Sequence, residues 1–324
     1  MLNKVMKNKT ETKQKKITKK FFNEVAKEWF ERTYDPSGNY LKFPVNRLRK
    51  DVALVEINNL KIKKGKKTLD IGCGTGQLVI DLLKKGMDAY GIDVASKMID
   101  EANKNLFNVK LSNKKVFRVA DLSCLSDSEP YDAVTSLGLL EYLDTDEELF
   151  SVLPRVVRKG GYVLVECRNS LFSLFTGNKY TLSIFERGGM EKMVQAFFEA
   201  VKFSPVPVGG ISKIQKEVFK NIHNFLNINH SKKEWNMDNI PLYSSYPKKM
   251  VRRQHTPQDL DLVAKKYGFT LDYVVYYHLH PYPPYYEKFF PQIYNKISDI
   301  MTPIGRTYLG AALGSAFVGI LRKK

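Results

Sequence analysis

The spacing of apolar and polar residues changes character along the chain. Phe21, Phe22, Val25, Ala26, Trp29 and Phe30 recur at helical intervals and predict a helix over 19–32 with one apolar face. Turn-forming residues between Tyr34 and Tyr40 end that pattern, and 46–60 reads as a second helix. From residue 68 onward, strand and helix patterns alternate. Short apolar runs at 68–71, 89–93, 115–120, 131–136 and 162–167 predict strands. Helical periods at 77–85, 96–105 and 146–157 lie between them, the second capped by Ser96. Lys159-Gly160-Gly161 predicts a turn before the fifth strand. This βαβαβ alternation predicts an α/β fold with a doubly wound, mostly parallel sheet.

The alternation stops at 169–254, a long aromatic-rich stretch with helical periods at 191–201 and 212–226. A stretch of that length between two sheet strands usually carries function. It resumes at Thr256, which caps a helix over 257–267 with Pro257 first and Gly268 just beyond the end. A strand at 270–278, a Pro- and Tyr-rich segment at 281–306 and a last strand at 315–321 follow. The organisation expected is therefore a disordered basic arm (1–18), an N-terminal helical lid (19–60) and a cofactor-binding core (61–168). An acceptor-binding insertion (169–254) comes next. The final helix and strands of the core (255–324) are themselves interrupted at 281–306. Both insertions are expected over the carboxyl edge of the sheet.

Charge and cysteines narrow the class only partly. Lys and Arg outnumber Asp and Glu by 52 to 34, a net charge of +18. Such a field attracts nucleic acid, acidic lipid and phosphorylated ligands alike. Cys73, Cys124 and Cys167 are far apart and in no metal-ligand spacing, which suits a reducing compartment. No apolar core follows the basic N-terminus, so a secretory signal is not expected and the cytoplasm is the expected location. The apolar stretch 307–321 is shorter than the ~20 residues of a membrane span. With three glycines it reads as a turn and a buried strand, although peripheral contact of the basic, acid-free tail with an anionic membrane surface stays open. His278 and His280 form a His-x-His pair without a third ligand in view, so no metal is expected.

The strongest local signal is Leu69-Asp70-Ile71-Gly72-Cys73-Gly74-Thr75-Gly76, which follows a strand and opens a helix. Its glycines allow a sharp turn and close approach of a ligand, and the helix N-terminus favours an anionic group such as a carboxylate. The spacing is G-x-G-x-G, not the G-x-G-x-x-G of dinucleotide binders. Asp70 discriminates further. It would repel a pyrophosphate, and it favours the amino group of an aminoacyl sulfonium. Asp93 ends the second strand, where a carboxylate can accept from ribose hydroxyls. Asp121 and Leu122 follow the third, where Asp121 can accept from an adenine amino group, and Ser136 ends the fourth. All lie at carboxyl ends of strands, where open α/β sheets bind ligands.

On these residues, 68–167 resembles the class I S-adenosylmethionine-dependent methyltransferases, in particular those acting on small molecules. The resemblance implies a seven-stranded Rossmann-like sheet with an antiparallel last strand. It implies S-adenosylmethionine as cofactor and S-adenosylhomocysteine as product. It assigns Asp70, Gly72, Cys73, Gly74 and Gly76 to the methionine end, Asp93 to ribose, and Asp121 with Leu122 to adenine, with Ser136 beside them. Members that methylate base nitrogens commonly carry Asn/Asp-Pro-Pro-Tyr after the fourth strand. This chain has Ser136-Leu137-Gly138-Leu139 there, and its Pro283-Pro284-Tyr285 lies far downstream.

The expected activity is therefore methyl transfer to a small-molecule or lipid- or glycan-like acceptor, with oxygen as the receiving atom. Candidate proton-accepting groups are Glu141, His278 and His255, with Glu166, Arg168 and His280 nearby in the sequence pattern. Two other readings remain at this level. An RNA methyltransferase would fit the basic charge, and a non-catalytic cofactor-binding partner subunit would fit the loop. A nicotinamide-dependent oxidoreductase is disfavoured by Asp70 and the glycine spacing.

Overall fold

A computed structural model describes residues 11–33, 45–111, 115–125, 130–176, 179–228 and 246–324. Tyr34, Tyr40 and the first ten residues of the basic arm lie outside them. In chain order the helices and strands are α1 (Lys13–Thr33), α2 (Val45–Asn59), β1 (Lys67–Ile71), α3 (Gln77–Lys84), β2 (Asp88–Asp93), α4 (Ser96–Asn108), β3 (Phe117–Val119) and β4 (Tyr131–Ser136). The short helices α5 (Glu147–Phe150) and α6 (Leu153–Val156) precede β5 (Val157–Arg168). The insertion holds α7 (Ser173–Thr176), α8 (Lys179–Glu186), α9 (Met190–Glu199) and α10 (Ile211–Ile228). Then come α11 (Pro257–Lys266), β6 (Phe269–Leu279), α12 (Pro291–Ile300), α13 (Gly310–Leu313) and β7 (Gly314–Lys323).

The seven strands form one sheet in the order β3-β2-β1-β4-β5-β7-β6. The pairings from β3 to β5 are parallel, and β7 runs antiparallel to both β5 and β6. This is the doubly wound, mostly parallel sheet expected from the alternation. Both faces are buried, as a parallel sheet requires. Val163 and Val165 belong to one core cluster with Leu149, Phe150, Leu153 and Leu260 of α5, α6 and α11. Leu164, between them, belongs to the other, with Ala53 and Ile57 of α2 and with residues of α3 and α4. The tail is interior: β7 lies between two strands and Ala316 to Leu321 are buried, so its apolar residues serve the core. No helix among the described residues is long and apolar enough to cross a membrane.

Several local expectations are corrected. Helix α1 starts at Lys13, six residues before the start expected at residue 19. The helix expected over 146–157 is two short helices, because Pro154 has no N–H to continue the ladder and instead sits in the first turn of α6. Gly160 and Gly161 mark a bulge inside β5, where the register with β4 shifts, and not a turn before it. Ser96 is the first residue of α4 and does not cap it; Ala95 holds the cap position, and its N–H donates to Asp93 Oδ1 at 2.8 Å.

Candidate active site

The loop from β1 to α3 has the conformation its glycines suggest. Gly72, Gly74 and Gly76 all have left-handed φ, at 79°, 52° and 81°. At Gly76 the space is closed as well, since a Cβ would lie 2.5 Å from the Phe117 ring. The amides of Gly72 and Cys73 both donate to the Ile92 carbonyl, at 2.8 and 2.9 Å, which ties the loop to β2. Asp93 completes the tie: Oδ2 accepts from Gly74 N at 3.0 Å while Oδ1 holds Ala95 N. The carboxylate at the end of β2 thus organises two backbone segments and keeps acceptor positions to spare.

Beside this loop lies a cavity of about 530 Å³. Asp70, Gly72, Cys73, Gly74, Asp93, Asp121 and Leu122 all line it. Asp70 is buried and accepts from Thr135 Oγ1 at 2.7 Å. Burial pushes its carboxyl up to about 6, against the pull of Thr135 and of the Arg49 charge. Burial also raises Asp93, although the amides of Ala95 and Gly74 oppose it. Asp121 caps a short turn by accepting from Ser123 N at 3.0 Å, and it pairs with Lys15 of α1. Burial alone would raise Asp121, but these partners outweigh it and hold the carboxyl below its ordinary range. Helix α1 covers this end: Lys15, Phe22 and Trp29 line the cavity, and Gln14 Nε2 donates to the Val251 carbonyl at 2.7 Å.

The other end of the cavity is built from β5, β6 and the loop after β4. Tyr277 donates its hydroxyl to Glu166 Oε1 at 2.9 Å, and Arg49 Nη1 lies 3.4 Å from Glu166 Oε2. The Arg49 guanidinium fills the place a Cβ would take at Gly138, whose φ is +72°. Glu141 is buried, with Oε2 3.7 Å from Arg168 Nε. Burial and the neighbouring Glu166 push its carboxyl up to about 7, against the charges of Arg168, Arg252 and Arg49. His278 and His280 also line the wall, with ring centroids 4.2 Å apart. Burial lowers both imidazoles, His280 to about 3. One end therefore offers a buried carboxylate and a glycine cradle. The other offers a carboxyl poised near neutrality and two neutral imidazoles.

Three sequence-level candidates lie elsewhere. Gly76 shapes the loop without lining the cavity. Ser136 is fully buried in the sheet. Side chains alternate along a strand, and its neighbour Thr135 is the one that reaches Asp70. His255 is buried with Nε2 2.9 Å from Asp146 Oδ1, so it anchors the start of α11 to the segment ahead of α5. Sequence reasoning missed Arg49, Tyr277 and Arg252, which line the cavity. Arg49 left a signal: it stands in helical phase with Ala53 and Ile57, both buried, and a charge on such a face needs a partner. Among the described residues no group of three or more His, Cys, Asp or Glu could hold a metal.

The donor set fits S-adenosylmethionine. Asp70 is a buried anion suited to its ammonium, Gly72 and Gly74 present backbone with no side chain of their own, and Asp93 suits a ribose diol. Comparisons with known proteins agree. Residues 69–165 match a family described as a methyltransferase domain. A ubiquinone biosynthesis O-methyltransferase of Dechloromonas aromatica is 29% identical over 52% of this chain and 71% of its own length. One from Coxiella burnetii is 26% identical, over 52% and 70%. Among solved structures, the fold is similar to magnesium protoporphyrin IX methyltransferase from Synechocystis PCC 6803 with bound S-adenosylmethionine. That likeness has a TM-score of 0.54 at 15% identity and covers 98% of this chain and all of that one. Loop, sheet order and relatives converge: residues 69–165 are a methyltransferase domain, and the chain has the fold and cofactor cradle of the class I S-adenosylmethionine-dependent methyltransferases.

Proposed function

We propose that the chain methylates a hydroxyl oxygen of a small acceptor, with Glu141 as the group that takes up the hydroxyl proton. The observation that carries this is Glu141 itself, a buried carboxyl on the cavity wall whose proton affinity is set near neutrality. A base so tuned matches its task. The relatives described as O-methyltransferases support oxygen as the receiving atom. Asp70 with Gly72, Cys73 and Gly74 holds the methionine end, Asp93 the ribose, and Asp121 with Leu122 the adenine side. Around Pro284, which lines the cavity, Tyr282, Tyr285, Tyr286, Phe289 and Phe290 are exposed, and Lys288 Nζ lies 3.9 Å from the Tyr285 ring centroid. That rim suits an acceptor with an apolar portion and contact with an anionic membrane surface.

The test is calorimetry with S-adenosylmethionine, followed by transfer of labelled methyl into fractionated cell extract. Binding is expected, with label in the small-molecule and lipid fractions. Label recovered chiefly in RNA would overturn the acceptor reading, and binding with no transfer to any fraction would leave only a cofactor-binding subunit.

Affinity for the cofactor is also expected to rise with pH through about 6. Below that value Asp70 holds a proton in the empty site, and only its ionised form pairs with an ammonium. Binding then expels the proton, so affinity falls by up to about tenfold per pH unit on the acid side. Titrations from pH 5 to 8 check this, and Asp70→Asn should flatten the profile while lowering affinity throughout.

A further inference from the structure

The two histidines at the end of β6 are placed by a break in the strand. His278 has φ +52°, the left-handed region that a non-glycine residue seldom adopts. Tyr277 pairs with Ala316 and Leu279 with Gly314, so the ladder continues around it. The alternation of faces does not. Val275 and Tyr277 pack in one core cluster and Tyr276 in the other. Leu279 should rejoin Tyr277, yet it packs with Tyr276. The left-handed residue has shifted the period by one, as a bulge does. The consequence is that His278 and His280 both reach the cavity that Tyr277 lines.

His280 is then fixed by its neighbours. Its ring stacks on Phe172 at 4.6 Å between centroids, and its amide donates to the Leu313 carbonyl at 2.9 Å. Its Nδ1 is 2.7 Å from the Tyr294 hydroxyl, which is also 2.6 Å from the Tyr282 carbonyl oxygen. A carbonyl only accepts, so Tyr294 must donate its hydrogen there. Its oxygen is left to accept, and the imidazole nitrogen facing it must carry the hydrogen. The hydrogen-bond network therefore assigns the Nδ1–H tautomer. His280 Nε2 is left as a bare lone pair. The residue is 5% exposed and Nε2 has no hydrogen-bond partner among the described residues. A buried acceptor without a donor is costly, and here it belongs to a ring at the wall of the cavity.

We propose that His280 determines specificity by accepting, at Nε2, a hydrogen bond from a hydroxyl of the acceptor molecule. The site thereby selects hydroxylated molecules over their ether or carbonyl counterparts. This rests on the reading of the cavity as an acceptor site, and it adds the polarity the acceptor must show to one wall. Tyr294 is a positioning residue that holds the tautomer. His280 stays neutral throughout the working range, since burial keeps its proton affinity low, so the lone pair is available at any neutral pH.

The experiment is nitrogen NMR of the full chain with ¹⁵N-labelled histidine in the presence of S-adenosylhomocysteine, titrated with 4-ethylphenol and separately with 4-ethylanisole. Five histidines make assignment by single variants practicable. His280 Nε2 is expected at the shift of an unprotonated nitrogen, and the phenol should move it toward the protonated range. The anisole, which has no donor, should not. His280→Phe keeps a ring against Phe172 and is expected to weaken the phenol at least about tenfold with the anisole unaffected. Tyr294→Phe should release the tautomer and let hydrogen appear on Nε2. A protonated Nε2 in the wild type, or no difference between phenol and anisole, overturns the proposal. Should His280→Phe fail to fold, the wild-type spectra still decide. Failure of S-adenosylhomocysteine to bind would instead strike the methyltransferase reading, and the tautomer would stand apart from it.

Discussion

Asp93→Ala is expected to lower affinity for S-adenosylmethionine by about a hundredfold or more, roughly 2.7 kcal/mol. Two effects add. Hydrogen bonds to a charged group are worth about 1.5–3 kcal/mol each, and a ribose diol offers two donors to this carboxylate. The same carboxylate holds Gly74 N and Ala95 N, so its loss also loosens the loop that cradles the methionine end. Asp93→Asn separates the effects. An amide can accept at one position but presents N–H at the other, against a backbone donor, and so should recover little affinity. Calorimetry with S-adenosylhomocysteine measures both variants, and thermal melting of the unliganded chains reports the loosening of the loop. Unchanged affinity in Asp93→Ala would remove Asp93 from the cofactor site.

The parts of this site that lie close together in sequence were legible from it. Asp70, the three glycines and Asp93 sit on two consecutive strand ends, and a parallel sheet puts consecutive strand ends side by side. The doubly wound, mostly parallel sheet followed in the same way, because strand and helix periods recur along the chain; the count of seven strands and the antiparallel last one came from the family resemblance, and the strand order came from the fold. What could not be read is set by contacts between distant segments. Arg49 comes from α2, Tyr277 from β6 and Arg252 from the segment ahead of α11, and only the folded sheet brings them to one cavity. Ser136 lies inside the sheet and off the cavity, since a strand pattern gives the period but not where the strand stops lining a ligand site. His255 was misread because its partner, Asp146, lies more than a hundred positions away. The shift at His278 is the clearest limit. A regular alternation would have put Leu279 on the face of Tyr277, and nothing in the local sequence announces a left-handed histidine.

Glu141→Gln is expected to reduce kcat by about 10²- to 10⁴-fold, the range of a general base, with cofactor affinity nearly unchanged. Glutamine keeps the volume and removes the proton-accepting oxygen. Wild-type kcat should rise with pH and level off above about 7, because only the ionised carboxyl accepts a proton. Glu166, Arg49, Arg168 and Arg252 act on that carboxyl, and the variant's rate should lose this limb. Stability should move the other way. The folded chain keeps the Glu141 proton up to about 7, whereas the ordinary value is 4.5. Between these values the native state binds more protons than the unfolded one, so the wild type loses stability as pH rises through that window. Above it the ionised carboxylate is a standing cost that glutamine does not carry. At pH 8 the variant should therefore melt higher than the wild type while turning over far more slowly. A residue that only braces Arg168 would give the opposite, a lower melting temperature with kcat little changed, and that result would return the role of base to another group on the cavity wall.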